Sequence, residues 1–167
     1  MFDEYKMNLP EGSAGQWQVS KFVVDDAASR FTSFRAALKG RGYVPPGTYT
    51  QLTRSGTIVM SDTPDEIADH LAFIHRVHGI CLINGLGLGM AVNAALRKPN
   101  VTHVYVVEQS ADVISLVEPT YKKITGTSSP CCMEMRSPTS GPSCAASDST
   151  SYGTISGTRF AAIIYRR

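Results

Sequence analysis

Residues 80–89 read Ile-Cys-Leu-Ile-Asn-Gly-Leu-Gly-Leu-Gly, and this stretch restricts the fold more than any other. Four apolar residues in a row, with no alternation, predict a short strand buried on both faces, as in a parallel sheet. The alternate glycines that follow allow a tight turn and close approach of the backbone. Met90 to Arg97 then reads as a helix, stopped by Lys98-Pro99-Asn100. Val104 to Val107 is a second apolar strand, ending on Glu108. Ser110 caps a further helix running to about Lys122, with Val113, Ile114 and Val117 inward; Pro119 is expected to kink or end it. Strand, glycine loop, helix, strand and acid together form the start of a doubly wound α/β sheet.

The same unit suggests a nucleoside ligand. A glycine loop at a helix start can present backbone N–H groups. A carboxylate ending the next strand, as Glu108 does, can accept ribose hydroxyl protons. The candidate contacts are Asn84, Gly85, Leu86, Gly87 and Gly89, with Glu108 and Gln109. A dinucleotide loop reads GxGxxG or GxGxxA, which here puts Met90 where a small residue belongs. The observed spacing is GxGxG, which favours S-adenosylmethionine over NAD, with an NAD-dependent oxidoreductase as the rival reading.

LINGLGLGMAVNAAL followed by VTHVYVVEQSADVISLV resembles the cofactor motifs of class I S-adenosylmethionine-dependent methyltransferases. The layout resembles their spermidine-synthase-like branch, with a small β-domain before the nucleotide-binding sheet and GTIVMSDTPDEIADHLAFIHRVHG as the link. The resemblance spans roughly residues 17–123. It implies a Rossmann-like fold, with Gly85, Gly87 and Gly89 along the methionine portion of the cofactor, Glu108 on the ribose and Gln109 flanking it. Asn84 stands where many methyltransferases carry an acid. Aminopropyl transfer is the nearest alternative chemistry. However, Leu88 takes the place of the Asp in the GGGDG loop of spermidine synthases, and TIVMSDT replaces their LDG pattern. A non-catalytic remnant or interaction module is the alternative outside enzymes. No catalytic residue can be named.

The segment ahead of the glycine loop reads as a β-rich unit with one helix (1–62), and 63–126 as the start of the cofactor-binding domain. Residues 1–15 look like a flexible polar lead-in. Trp17 to Val24 is a strand, and Asp25 caps a helix over Asp26 to Lys39, stopped by Gly40. Phe31, Phe34 and Leu38 form an apolar stripe expected to be core, and Arg30, Arg35, Lys39 and Arg41 a solvated face. Ser55-Gly56 joins two β-branched runs as a hairpin. Thr63, Pro64 and Glu66 have the spacing of a capping box, ahead of a helix with Ile67, Leu71 and Ile74 inward. His70, His75 and His78 read as structural or solvated.

Composition excludes several classes. Charged residues at 18% and hydrophobic residues at 43% fit a globular chain. A net charge of +2 does not indicate a nucleic-acid surface, and no apolar run reaches a membrane span. The first residues, MFDEYKMNLPEGS, lack an apolar leader core, so a cytoplasmic location is expected. Cys131 and Cys132 are adjacent and no His follows His103, so no metal site is expected; Cys81 reads as a small buried residue. The partners expected are the cofactor and an unidentified acceptor; a homo-oligomer is compatible with the chain.

After about Gly126 the composition changes. Residues 127–167 are rich in Ser, Thr, Pro and Cys, without a periodic stripe before Phe160 to Tyr165. They read as a disordered or irregular, low-complexity tail. The genetic code suggests an origin. Read from the third base of each codon, Cys131 to Arg136 spells Leu-(His/Tyr)-Gly-(Asp/Asn)-Ala when Arg136 uses a CGN codon. That matches the adenine-contacting motif the family carries here. The same frame permits Arg-Phe-Asp-Val-Ile-Trp-His-Asp-Ile-Trp over Asp148 to Gly157. A frameshift between about Tyr121 and Ser128 is therefore expected, making the chain the front of a longer enzyme with an alien tail. Such a tail should leave a sheet edge unpaired and cofactor binding weak or lost.

Overall fold

The computed structural model describes residues 3–124, 132–136, 154–155 and 158–164, with side-chain surroundings for 4–121. A short 3-10 turn, Asp3–Tyr5, precedes β1 (Gly12–Ala14), β2 (Trp17–Val24), α1 (Asp26–Lys39), β3 (Gly47–Arg54) and β4 (Thr57–Ser61). Next come α2 (Pro64–Arg76), β5 (Gly79–Asn84), α3 (Met90–Leu96), β6 (Val101–Val107) and α4 (Ala111–Ile124). Three further strands are β7 (Cys132–Arg136), β8 (Thr154–Ile155) and β9 (Thr158–Ile164).

Two sheets result. β1 to β4 form an antiparallel sheet in chain order. The turn between β3 and β4 has Ser55 at φ 49° and Gly56 at φ 78°, the pair of left-handed residues that matches the twist of a two-residue hairpin. The second sheet runs β7-β6-β5-β9-β8, with β5, β6, β7 and β9 in parallel pairings. Its order is that of a doubly wound sheet, growing outward from β5 in both directions, and the fold is Rossmann-like α/β. One core spans both sheets: Trp17, Val19 and Leu52 of the first join Ile83, Val104 and Val106 of the second.

Several expectations change. The loose lead-in expected over residues 1–15 does not hold for the described part: Met7 and Leu9 are buried in the core, and β1 pairs with β2. The side-chain amide of Asn93 donates to the Glu4 and Tyr5 carbonyls at 3.4 Å each and helps hold this segment down. Pro119 lies within α4 without ending it. The tail is not uniformly outside the sheet. β7 pairs with β6 and β9 with β5, so β5 and β6 are each paired on both sides, and the outermost described strands are β7 and β8. Strand pairing needs only an extended backbone with free N–H and C=O groups, which side-chain periodicity does not report. Cys131 and Cys144 lie outside the described residues, and Cys132 is described in its backbone alone.

The largest reversal concerns α1. Its caps are as expected: Asp25 accepts from the Ala28 N–H at 2.7 Å, and Gly40 closes the end at φ 73°. Its orientation is not. Phe31, Phe34 and Leu38 are 65%, 65% and 72% exposed. The face turned inward carries Ser29, Thr32 and Ala36, about 180° away at 100° per residue. Thr32 fixes it: its hydroxyl accepts from the Val44 N–H at 3.1 Å and donates to the Ser29 carbonyl at 2.9 Å. Arg30, Arg35, Lys39 and Arg41 are exposed as expected, and Arg41 also pairs with Asp65 and Asp69 on α2.

Candidate functional site

In an open α/β sheet, ligands settle outside the carboxyl ends of the strands where the strand order reverses. Here that point lies between β5 and β9, with β6 on the other side of β5. The loop leaving β5 is Gly85-Leu86-Gly87-Leu88-Gly89, and Gly85, Gly87 and Gly89 adopt φ of 91°, 53° and 83°. The left-handed glycines alternate with Leu86 and Leu88, both fully buried. The leucines anchor the loop in the core while the glycines turn it.

The loop N–H groups bond largely within the chain. Gly85 donates to the Val107 carbonyl at 2.7 Å and Gly89 to that of Leu86 at 2.8 Å. The Leu86 N–H donates to Glu108 Oε2 at 2.7 Å, and Ser110 N–H to Glu108 Oε1 at 2.9 Å. One carboxylate thus joins the glycine loop to the start of α4. Ser110 caps that helix through its hydroxyl, which accepts from the Val113 N–H at 3.3 Å. The Leu88 N–H points at the Met60 thioether, at 3.3 Å from Sδ.

Met60 and Tyr121 are neighbours of the loop that the sequence reading did not select. A Cβ on Gly87 would lie 2.5 Å from Met60 Sδ. A Cβ on Gly89 would collide with the Tyr121 hydroxyl, which donates to the Gly89 carbonyl. Tyr121 continues the Val113 and Val117 stripe of α4 and was legible as core; the reach of Met60 across from β4 was not. Asn84 and Glu108 are half-buried at the strand ends and Gln109 is exposed, so all the residues selected from sequence meet around one loop.

Next to the loop, the β4–α2 junction is densely bonded. The Glu66 carboxylate passes over the Thr63 cap position and accepts from the Ser61 N–H at 2.9 Å and hydroxyl at 2.8 Å. Thr63 makes no side-chain cap bond to the helix, so the expected capping box is replaced by this longer clasp. Asp62 is buried, accepts from the Thr50 N–H at 2.7 Å, and has its carboxyl pushed above the ordinary range by burial. His70 joins Ile67 and Ile74 on the buried face of α2, where Leu71 is only partly covered, and burial lowers its pKa. His75 and His78 are exposed. Among the described residues no group of His, Cys, Asp or Glu is placed to hold a metal ion, and no helix is long and apolar enough to cross a membrane.

The fold and the placement of this loop define a Rossmann-like α/β protein with its candidate site at the switch point of the parallel sheet. Among solved structures, the chain is similar to the spermidine synthase of Thermotoga maritima, at 14% identity and a TM-score of 0.43. The match covers 77% of this chain and 40% of that one, so the chain spans well under half of its length. No family model matches the chain, and neither does any curated protein.

Proposed function

We propose that this chain is a transferase of the class I S-adenosylmethionine-dependent type, with methyl transfer the favoured chemistry. The observation that carries the reading is the state of the loop donors. Four of the five N–H groups from Gly85 to Gly89 have partners inside the chain, one of them the Glu108 carboxylate. A pyrophosphate needs several converging free donors. This loop therefore suits a nucleoside ligand without phosphate better than it suits NAD.

Each oxygen of Glu108 already accepts one N–H and retains capacity for a ribose hydroxyl. Gly85, Leu86 and Gly87 would follow the methionine portion, Asn84 would face its amino group, and Gln109 would flank the ribose. Gly89 contributes through packing, since Tyr121 occupies the space beside it. When bound, the sulfonium supplies an electrophilic methyl carbon. Leu88, at the position of the donor-binding Asp of aminopropyltransferases, is buried, which disfavours aminopropyl transfer.

Melting in the presence of ligand tests the reading. At 1 mM S-adenosylmethionine and a Kd of about 100 μM, the native state gains about 1.4 kcal/mol, raising the melting temperature by roughly 3–5 °C. NAD at the same concentration should give no shift. An equal rise with NAD overturns the assignment. A cooperative melt unmoved by either ligand favours a non-catalytic remnant.

A further inference from the structure

We propose that Met60 is a positioning residue of the glycine loop: its thioether fixes the Gly87–Leu88 peptide, and with it the backbone surface offered to the methionine portion of the ligand. The proposal rests on the S-adenosylmethionine reading of this site. The Gly89 N–H donates to the Leu86 carbonyl at 2.8 Å, so residues 86–89 close a four-residue turn. Gly87 is its first central residue, at φ 53°, and Leu88, the second, has a negative φ. This is the turn type that takes glycine at the first central position. Its weak point is the central peptide. Rotating that peptide exchanges the sides to which its N–H and C=O point, and converts one primed turn type into the other. The rotated form puts Leu88 at positive φ, which disfavours it without forbidding it.

Met60 supplies the remaining preference. The Leu88 N–H donates to its Sδ at 3.3 Å. A Cβ on Gly87 would lie 2.5 Å from the same sulfur and 3.3 Å from Cε, so the thioether lies against both residues that the peptide joins. In a planar trans peptide the Gly87 carbonyl points away from the side of the Leu88 N–H. Rotation would lose the hydrogen bond and turn that carbonyl toward the sulfur, one acceptor against another. The thioether is itself held. Met60 is buried and pairs with Leu52 on β3. The next residue, Ser61, is gripped by Glu66 through its N–H and hydroxyl, and the Asp62 N–H donates to the Thr50 carbonyl at 3.0 Å. A fixed strand end of the antiparallel sheet thus sets one peptide in the loop of the parallel sheet.

Met60→Leu keeps the volume and removes the acceptor. In the ligand-free full chain, amide exchange followed by NMR should show the Leu88 N–H exchanging about tenfold faster relative to the amides of β6. By calorimetry the Kd for S-adenosylmethionine should rise about fivefold, the size of one lost hydrogen bond. Met60→Gln restores an acceptor at similar reach and should bring both values back to within about twofold of the parent. Val19→Ala, a core truncation on β2, should lower the melting temperature and leave the Kd unchanged. Leu88 exchange indifferent to Met60→Leu, a folded Met60→Gln no better than Met60→Leu, or a Kd that rises as much in Val19→Ala would overturn the proposal. A parent chain that binds no S-adenosylmethionine overturns the cofactor reading instead, and the Leu88 exchange then decides by itself whether Met60 holds the peptide.

Discussion

Gly89→Ala tests how the loop is held. Gly89 sits at φ 83°, where an L-residue costs about 1–2 kcal/mol. Its new Cβ would lie 2.8 Å from Cε2 and Cζ of Tyr121, closer than real Cβ contacts come. Tyr121 is fully buried on α4, so its ring cannot swing aside without moving the helix. Overpacking of this kind costs about 1–3 kcal/mol. Displacing the Tyr121 hydroxyl from the Gly89 carbonyl removes a buried bond worth about 1 kcal/mol. The sum, about 3–6 kcal/mol, is a large part of a typical total stability of about 5–15 kcal/mol. Urea unfolding followed by circular dichroism should show the midpoint falling by about 1.5–2.5 M. Tyr121→Phe alone should cost about 1–2 kcal/mol. When Tyr121→Phe is already in place, the glycine change should cost about 1 kcal/mol less, because the hydroxyl it would strike is gone. A loss under about 1 kcal/mol for Gly89→Ala, or strict additivity of the two changes, would refute this account of the loop.

Three other changes probe the surroundings. Glu66→Ala removes the acceptor of the Ser61 N–H and hydroxyl and should lower stability by about 1–2 kcal/mol in thermal or urea unfolding; an unchanged midpoint argues against the clasp. Burial raises the Asp62 carboxyl pKa in the fold, so its contribution is full below the unfolded value of 3.8 and is lost as pH rises through the folded value. Asp62→Asn keeps an acceptor for the Thr50 N–H and should gain on the parent between pH 4 and pH 7; parallel stability curves would contradict this. His70 has the opposite sign: burial lowers its pKa, so its contribution is present above 6.5 and is lost as pH falls through the folded value. His70→Phe should flatten the decline below pH 6.5, and an unaltered slope would exclude His70 as its source.

What could be read in the sequence was mostly local. Asp25 and Gly40 bound α1 because a cap needs only its own few residues. Ser55-Gly56 marks its hairpin because few dipeptides accept two left-handed conformations. The glycine loop and Glu108 were legible as one unit, and both of its strands form. What failed was direction. Phe31, Phe34 and Leu38 have the periodicity of a core stripe, but Thr32 and Val44 decide which side of α1 faces inward. Met7 and Leu9 are isolated apolar residues in a polar stretch, and only tertiary packing buries them. Glu66 has capping-box spacing, yet Ser61 offers two donors where the cap offers one. β7 alternates apolar and charged residues only from Met133 to Arg136, too short a run to mark a strand among the Ser- and Pro-rich residues around it.

The order β7-β6-β5-β9 also sets a timetable for synthesis. β1 to β4 pair with their immediate neighbours in the chain, so that sheet can close while the ribosome is still translating later codons. β5 is made next, and one of its two edges waits for β9, the last of the described strands. At ordinary elongation rates that wait lasts several seconds or more. Throughout it a strongly apolar strand displays a row of unpaired amides. A nascent chain arrested before residue 158 should therefore recruit chaperones that bind extended apolar segments.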